Sequence, residues 1–258
     1  MNTIHPTAIV STKANLGNNI KIGAYSIIED DVEIDDDCRI GPHAVIYDGA
    51  RIGKRVKIKQ GASISNEPQD LKFEGEKTVL IIDDDSDIRE FAVLHRGTKE
   101  TGKTKVGKSC LLMAYTHIPH DAVVGDHTIL ANAVQIGGHT HIGEWVILGG
   151  LVGVHQFVQI GDHSMVASSV RISQDVPPYI LVSSEPAKYS GLNVVGLRRR
   201  GFSSEDILTL KEAYKYLYDK SLNVSQARKK IESTFGNNEY VINLLGFLEK
   251  SKRGIVGK

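Results

Sequence analysis

Hydrophobic positions recur along this chain every six residues. Stepping from Ile4 gives Val10, Leu16, Ile22, Ile28, Ile34, Ile40, Ile46, Ile52, Ile58 and Ile64, all of them Ile, Val or Leu. Those three types make up 69 of 258 residues. Eleven consecutive hits are therefore roughly a one-in-a-million accident against ordinary composition. The register breaks at 70, returns with Ile82, Ile88 and Leu94, and then runs unbroken from Val106 to Ile172. A period of six fits neither a 3.6-residue helix nor a flat amphipathic strand. It predicts a mainly β fold, a hexapeptide-repeat parallel β-helix, in which each hexad makes a short strand and a turn. Three hexads close one triangular coil.

The aliphatic side chain points into the prism. Glycine often follows it, as at Gly17, Gly23, Gly41, Gly107 and Gly137, and is expected there to allow the tight turn. Two residues before the aliphatic position the side chain is mostly small. Cys38 and Cys110 fall at that place, which predicts two buried structural thiols. Segments 66–77 (NEPQDLKFEGEK) and 97–104 (GTKETGKT) interrupt the hexads. They are expected as loops extruded from the stack and gathered on one functional face.

After Ile172 the hexads give way to "QDVPPYI" and an irregular stretch, followed by helical spacing. Ser203 with Asp206 resembles a capping box. Ile207, Leu208, Leu210, Tyr214, Leu217 and Tyr218 form an apolar helix face, and 224–235 and 239–250 repeat the spacing. The predicted division is a β-helix over 1–190 and a C-terminal α-helical domain over 191–258.

Composition narrows the function classes. The chain is 41% hydrophobic and 24% charged, enough apolar content for a real core. Thirty-one basic residues balance thirty-one acidic ones, so no global charge draws the chain to nucleic acid or an anionic membrane. "MNTIHPTAIV" lacks the features of a signal peptide, and the apolar stretch "VILGGLVGV" (146–154) is too short to span a bilayer. The expectation is a cytoplasmic protein without an integral membrane segment.

Candidate chemistry comes from the histidines. Residues eighteen apart occupy the same face of successive coils, about 4.8 Å apart. Ile118, Ile136 and Val154 thus form a column that gathers His117, His120, His139 and His155 on one edge. If the second loop replaces one hexad, Leu94 lies beneath Ile118 and His95 joins them. If the first replaces two, Ile64 lies beneath Leu94, and the loop carrying Gln69, Asp70 and Lys72 leaves from the same edge. A second column, Val124, Ile142 and Ile160, carries His127, His141 and His163, which are expected as solvated turn residues. In "HIPHD" (117–121) the histidines fit a polar turn, a metal site or a general base. Positions three apart on extended backbone point to opposite sides, which weakens the metal reading. A base needs only reach to a hydroxyl and a pKa near neutrality.

The ordered set "PQDLKF", "HRGT", "HIPHD", "VHQF", "QDVPPY" and "GLRRRGF", set on these hexads, resembles the UDP-N-acetylglucosamine O-acyltransferase family nearly end to end. That resemblance implies a left-handed β-helix and a homotrimer with clefts between prisms. It also implies transfer of an (R)-3-hydroxyacyl chain from acyl carrier protein to the sugar 3-hydroxyl of UDP-N-acetylglucosamine, the first step of lipid A biosynthesis. By motif matching, His120 is the general base, Asp121 holds it, and the Gly138 N–H stabilises the oxyanion. Gln69, Asp70, Lys72, His117, His139, Gln156, Asn193 and Arg199 bind the sugar nucleotide. His95 and His155 line the cleft and acyl path, and Ser168 forms the floor of the acyl pocket, a small side chain suited to a fairly long chain. Neither cofactor nor metal is implied. Val195 stands where relatives carry an acid, and Ala133 where they carry asparagine. Three rival readings are a zinc site across coils like that of gamma-class carbonic anhydrases, an acceptor with a 3-amino sugar, and a non-enzymatic scaffold.

Overall fold

The computed structural model describes all 258 residues. Twenty-six short strands wind from Thr3 to Ile172 as a left-handed parallel β-helix. They stack into three flat parallel sheets, one per face of the prism. The first face carries Ile4, Ile22, Ile40 and Ile58, the second Val10, Ile28, Ile46 and Ile64, and the third Leu16, Ile34 and Ile52. From Ile20 onward nearly every hexad aliphatic is buried, together with Cys38, Cys110 and the small residues at Ala44, Ala62, Ala92 and Ala122. The two thiols are raised to about 11 by that burial, well away from reactivity.

Glycine after the aliphatic position has a role other than the one expected. These glycines do not take the left-handed conformation. That conformation falls two residues further on, where side chains such as Asp37, His43, Asp85, Tyr115, Asp121, His127 and His139 sit at φ of 56–64°. A Cβ at Gly23, Gly41 or Gly137 would instead lie 2.4–2.8 Å from a backbone nitrogen of the next coil. Glycine is required by close approach between coils, not by the turn dihedral. Several of these left-handed side chains stack on their counterparts one coil away, as Tyr25 does on His43, Phe91 on Tyr115 and His139 on Phe157. At the corner between third and first faces this makes a ladder of His127, Trp145, His163 and Tyr179, with ring centroids 4.1, 6.4 and 5.7 Å apart. Two of the three second-column histidines thus belong to an aromatic ladder, and His141 lies exposed on a strand of the third face.

Both loops leave the stack where expected. Leu94 pairs with Ile118, and Ile64 with Leu94. Each loop therefore begins at the corner between second and third faces and returns into the third face at Val79–Ile82 and Lys103–Val106.

Above Ile172 the stretch expected to be irregular contains structure. Strand Ile180–Ser183 adds to the first face in parallel, and Lys188–Leu192 returns antiparallel. A division at 190 falls inside that second strand. Helix α1 (Val194–Arg199) follows, six residues including Gly196 and too short to show a period. Helices α2 (Ser204–Leu217), α3 (Val224–Phe235) and α4 (Glu239–Lys250) match the predicted segments. Ser203 caps α2 by accepting from the Asp206 N–H, but the reciprocal half is missing. The full capping box is Asn223 with Gln226 on α3. The domain is pinned to the stack by Tyr214, whose hydroxyl donates to the Pro178 carbonyl, and by Asn243, which donates to Asp162 and Tyr179. No helix is long and apolar enough to cross a membrane.

Candidate active site

The corner between second and third faces brings most of the predicted residues together. Strand His117–Ile118 turns Ile118 inward, so His117 faces out from the second face. The following turn carries His120 and, at φ 60°, Asp121. One coil on, the equivalent turn carries Gly138 and His139. The next carries His155, Gln156 and Phe157. His95 belongs to the coil on the other side.

His120 Nδ1 lies 2.8 Å from Asp121 Oδ2. Asp121 is buried and also accepts from the Thr98 N–H at 3.1 Å and the Thr98 hydroxyl at 2.7 Å, with the Thr101 hydroxyl closer still. Burial pushes its pKa up. Hydrogen bonds from Thr101, His120 and Thr98 together outweigh that and hold it below the usual carboxylate range. An ionised Asp121 requires the proton on Nδ1 and leaves Nε2 bare as an acceptor. Against that nitrogen lies Gly138: a Cβ there would be 2.8 Å from His120 Cε1 and 2.9 Å from Nε2. The Gly138 N–H donates to no group of the chain, unlike those at the equivalent place in Asn18, Lys54, Lys108 and Glu144, each taken by an aspartate of a neighbouring coil. The bare Nε2 thus lies against Gly138, whose N–H is free.

Around this pair, His139 packs edge-on to His120 at 5.3 Å and stacks on Phe157 at 4.6 Å. Its Nε2 lies 3.4 Å from Glu100 and 3.7 Å from Asp121 Oδ2. His95 and His117 meet edge-to-face at 5.2 Å. Burial, then the neighbouring His95 and His120, pushes His117 down to about 4, and burial lowers His95 as well. Both are neutral near pH 7, and the Nε2 of each is buried without a partner. Such atoms cost free energy unless something completes them.

The first loop overhangs this corner. His95 Nδ1 bonds the Glu67 carbonyl, and Arg96 reaches the Ser65 carbonyl, the Glu67 carboxylate and the Phe73 ring. Asp70 accepts from the Lys72 N–H at 3.0 Å, so the loop tip is a tight Asx turn that presents Gln69 and Lys72 to solvent.

Other predicted residues lie elsewhere on the same chain. Asn193 caps α1: its amide donates to the His163 carbonyl at 2.9 Å and accepts from Gly196. That places it at the corner between third and first faces. Arg199, in the last turn of α1, is exposed and makes no ion pair. Ser168 sits at the third corner, against Gly149. Val195 is exposed on α1 and Ala133 occupies a left-handed turn.

The sequence reading missed Thr98, Thr101 and Glu100. All lie in "GTKETGKT", expected only as an extruded loop with no role for its own side chains, although "HRGT" includes Thr98. The signal available was three threonines in a loop expected on the functional face.

The donors of His120, Asp121 and His139 lie within 4.8 Å of one another, a group that could hold a cation. The donor set argues otherwise. Both Asp121 oxygens are occupied by threonine and imidazole hydrogens, and His120 offers only Nε2.

A hexapeptide β-helix with a histidine–carboxylate pair in an extruded-loop cleft defines a hexapeptide-repeat transferase. Bacterial transferase hexapeptide repeats match residues 13–48, 31–66 and 103–138, and the second domain of UDP-N-acetylglucosamine O-acyltransferase matches 175–256. The acyl-[acyl-carrier-protein]–UDP-N-acetylglucosamine O-acyltransferase of Saccharophagus degradans is 46% identical over 99% of this chain and 100% of its own length. The UDP-N-acetylglucosamine acyltransferase of Francisella novicida superposes with a TM-score of 0.97 at 35% identity, covering 99% and 94% of the two chains. The Acinetobacter baumannii structure gives 0.95 at 42% identity over 98% and 99%. The chain belongs to the UDP-N-acetylglucosamine O-acyltransferase family.

Proposed function

We propose that this chain transfers an (R)-3-hydroxyacyl group from acyl carrier protein to the 3-hydroxyl of UDP-N-acetylglucosamine, opening lipid A biosynthesis. The observation that carries the mechanism is the ionised Asp121 behind His120, with the bare Nε2 packed against Gly138, whose N–H is free. His120 Nε2 removes the 3-hydroxyl proton as the oxygen attacks the thioester carbonyl. Asp121 stabilises the imidazolium that forms. The Gly138 N–H donates to the tetrahedral oxyanion, a contribution that can reach about 3 kcal/mol. Collapse breaks the carbon–sulfur bond, and the departing thiolate of the carrier takes the proton back from His120. The thioester is already activated, so neither an enzyme nucleophile nor a metal is required.

His117, His139, Gln156 and the loop residues Gln69, Asp70 and Lys72 surround the sugar nucleotide, while His95 and His155 border the cleft and acyl path. The unpartnered Nε2 atoms of His95 and His117 favour a polar ligand at this corner. Asn193, Arg199 and Ser168 sit at other corners, separated from His120 by whole faces of the prism. That separation supports a homotrimer, in which a neighbouring copy brings its α1 and Ser168 corners to the His120 corner. Arg199, exposed and uncommitted, then serves the diphosphate bidentately. A donor carried on acyl carrier protein puts the reaction in the cytoplasm.

Incubating the purified chain with (R)-3-hydroxyacyl carrier protein and UDP-N-acetylglucosamine tests this. Formation of the 3-O-acyl sugar nucleotide is expected, and its absence with every chain length would overturn the reading.

A further inference from the structure

The second loop spends three threonines on one aspartate. Thr98 donates its N–H to Asp121 Oδ1 and its hydroxyl to Oδ2, while its oxygen accepts from the Glu100 N–H at 3.3 Å. Thr101 has one hydroxyl proton and two acceptors in reach, Asp121 Oδ1 and the Lys103 carbonyl at 2.9 Å. The carboxylate is charged and is the stronger acceptor. Thr104, at the loop's end, accepts from the Asp121 backbone N–H at 2.9 Å. Backbone and side chain of Asp121 are thus both held by residues 98–104, with His120 Nδ1 the partner from its own turn.

The need for such a hold is visible in the neighbours. Asp121 Oδ2 has two imidazoles near it, His120 Nδ1 at 2.8 Å and His139 Nε2 at 3.7 Å. A carboxylate rotates about its last torsion in a broad, twofold well, so an unrestrained Asp121 can turn toward either ring. Glu100, 3.4 Å from His139, offers that ring another partner. These are the titratable groups that face Asp121: His120 on its own turn, His139 on the next coil and Glu100 on the loop. His95, buried, and His117, half-buried, also lie near His120 and are neutral.

Taking His120 as the general base, as the acyltransfer reading does, we propose that Thr98 and Thr101 are positioning residues for the reaction. They fix the Asp121 carboxylate with Oδ2 on His120 Nδ1 and so keep Nε2 unprotonated and aimed at the acceptor hydroxyl. Thr101 is exposed and carries little of the fold, which makes it the cleaner position to test.

Wild type, Thr101→Val, Thr101→Ser and Thr98→Val are compared by steady-state kinetics across pH and by thermal melting. Thr101→Val is expected to lower kcat about tenfold, with the KM for UDP-N-acetylglucosamine within about twofold. Loss of the donor makes the carboxylate more basic. A protonated Asp121 or a more strongly held imidazolium both move the acid limb of kcat to higher pH. Thr101→Ser keeps the hydroxyl and should restore rate and profile. A contact that only packs the loop would lower the rate evenly across pH with no shifted limb, and that result overturns the proposal. So does wild-type kinetics in Thr101→Val with a well-folded Thr98→Val also fully active. Failure of the wild-type chain to turn over in the same assay would instead overturn the acyltransferase reading on which the positioning role rests.

Discussion

Replacing Gly138 by alanine should disable His120 as the proposed base without disturbing the fold. The three atoms nearest a Cβ at this position all belong to His120, at 2.8, 2.9 and 3.4 Å. Ordinary carbon contacts begin near 3.5 Å, so the ring must retreat by about 0.7 Å or more. It cannot do so freely: Nδ1 is fixed on Asp121 at 2.8 Å and the ring meets His139 edge-on. The methyl group also fills the space where the acceptor hydroxyl would reach Nε2. Misplacement of a reacting group by about 1 Å can cost roughly 10²-fold in rate, and that is the loss expected in kcat. Gly138 has no left-handed backbone, so melting should stay near wild type. Thiol release from acyl carrier protein, followed with a chromogenic disulfide, reads the rate. Near-normal kcat in a folded Gly138→Ala chain would refute the placement of His120 Nε2 against this glycine. Gly137→Ala is the contrast, because its Cβ would lie 2.4 Å from the Gln156 backbone nitrogen and must lower the melting temperature through overpacking.

Further outcomes follow from the same geometry. His120→Ala should leave a folded chain and lower turnover about 10²–10⁴-fold, measured by single-turnover acyl transfer. Arg199→Ala should raise the KM for UDP-N-acetylglucosamine with little change in kcat, since its exposed guanidinium has no structural partner; an unchanged KM would count against a phosphate role. Dialysis against a chelator should leave activity intact, whereas stoichiometric zinc lost with His120→Ala would favour the carbonic-anhydrase-like reading. His117 titrates near 6.5 when unfolded and about 4 in the fold. Between those values the unfolded chain binds the extra proton, so stability is full above 6.5 and declines as pH falls toward 4. In His117→Gln that part of the slope of melting temperature against pH should vanish.

The β-helix was legible because every hexad repeats one demand, an aliphatic side chain inside a narrow prism. A single unit of the pattern is weak, but the unbroken run from Val106 to Ile172 is not. The eighteen-residue coil placed His120, His139 and His155 on one edge, and the loop accounting added His95 and the 66–77 segment. Glycine was misread because sequence marks where a side chain is missing and not why. Only the stacked coils show that Gly137 is small to clear Gln156, while His139 takes the left-handed turn. The hairpin at 180–192 and α1 escaped because each is too short for a period to register. Thr98 and Thr101 escaped because loop residues carry no periodic signal, and their partner is twenty or more residues away. Asn193 was visible as a site candidate, but its capping of α1 and its bond to the His163 carbonyl were not.

The central claim is that His120 activates the 3-hydroxyl of UDP-N-acetylglucosamine. Mass analysis of products tests it most directly, using wild type and His120→Ala with (R)-3-hydroxyacyl carrier proteins of several lengths and either UDP-N-acetylglucosamine or its 3-amino analogue. The account predicts a 3-O-acyl ester from wild type, a preference for longer chains set by Ser168, and almost no ester from His120→Ala. An amide formed only from the 3-amino analogue, or undiminished ester from His120→Ala, would contradict it.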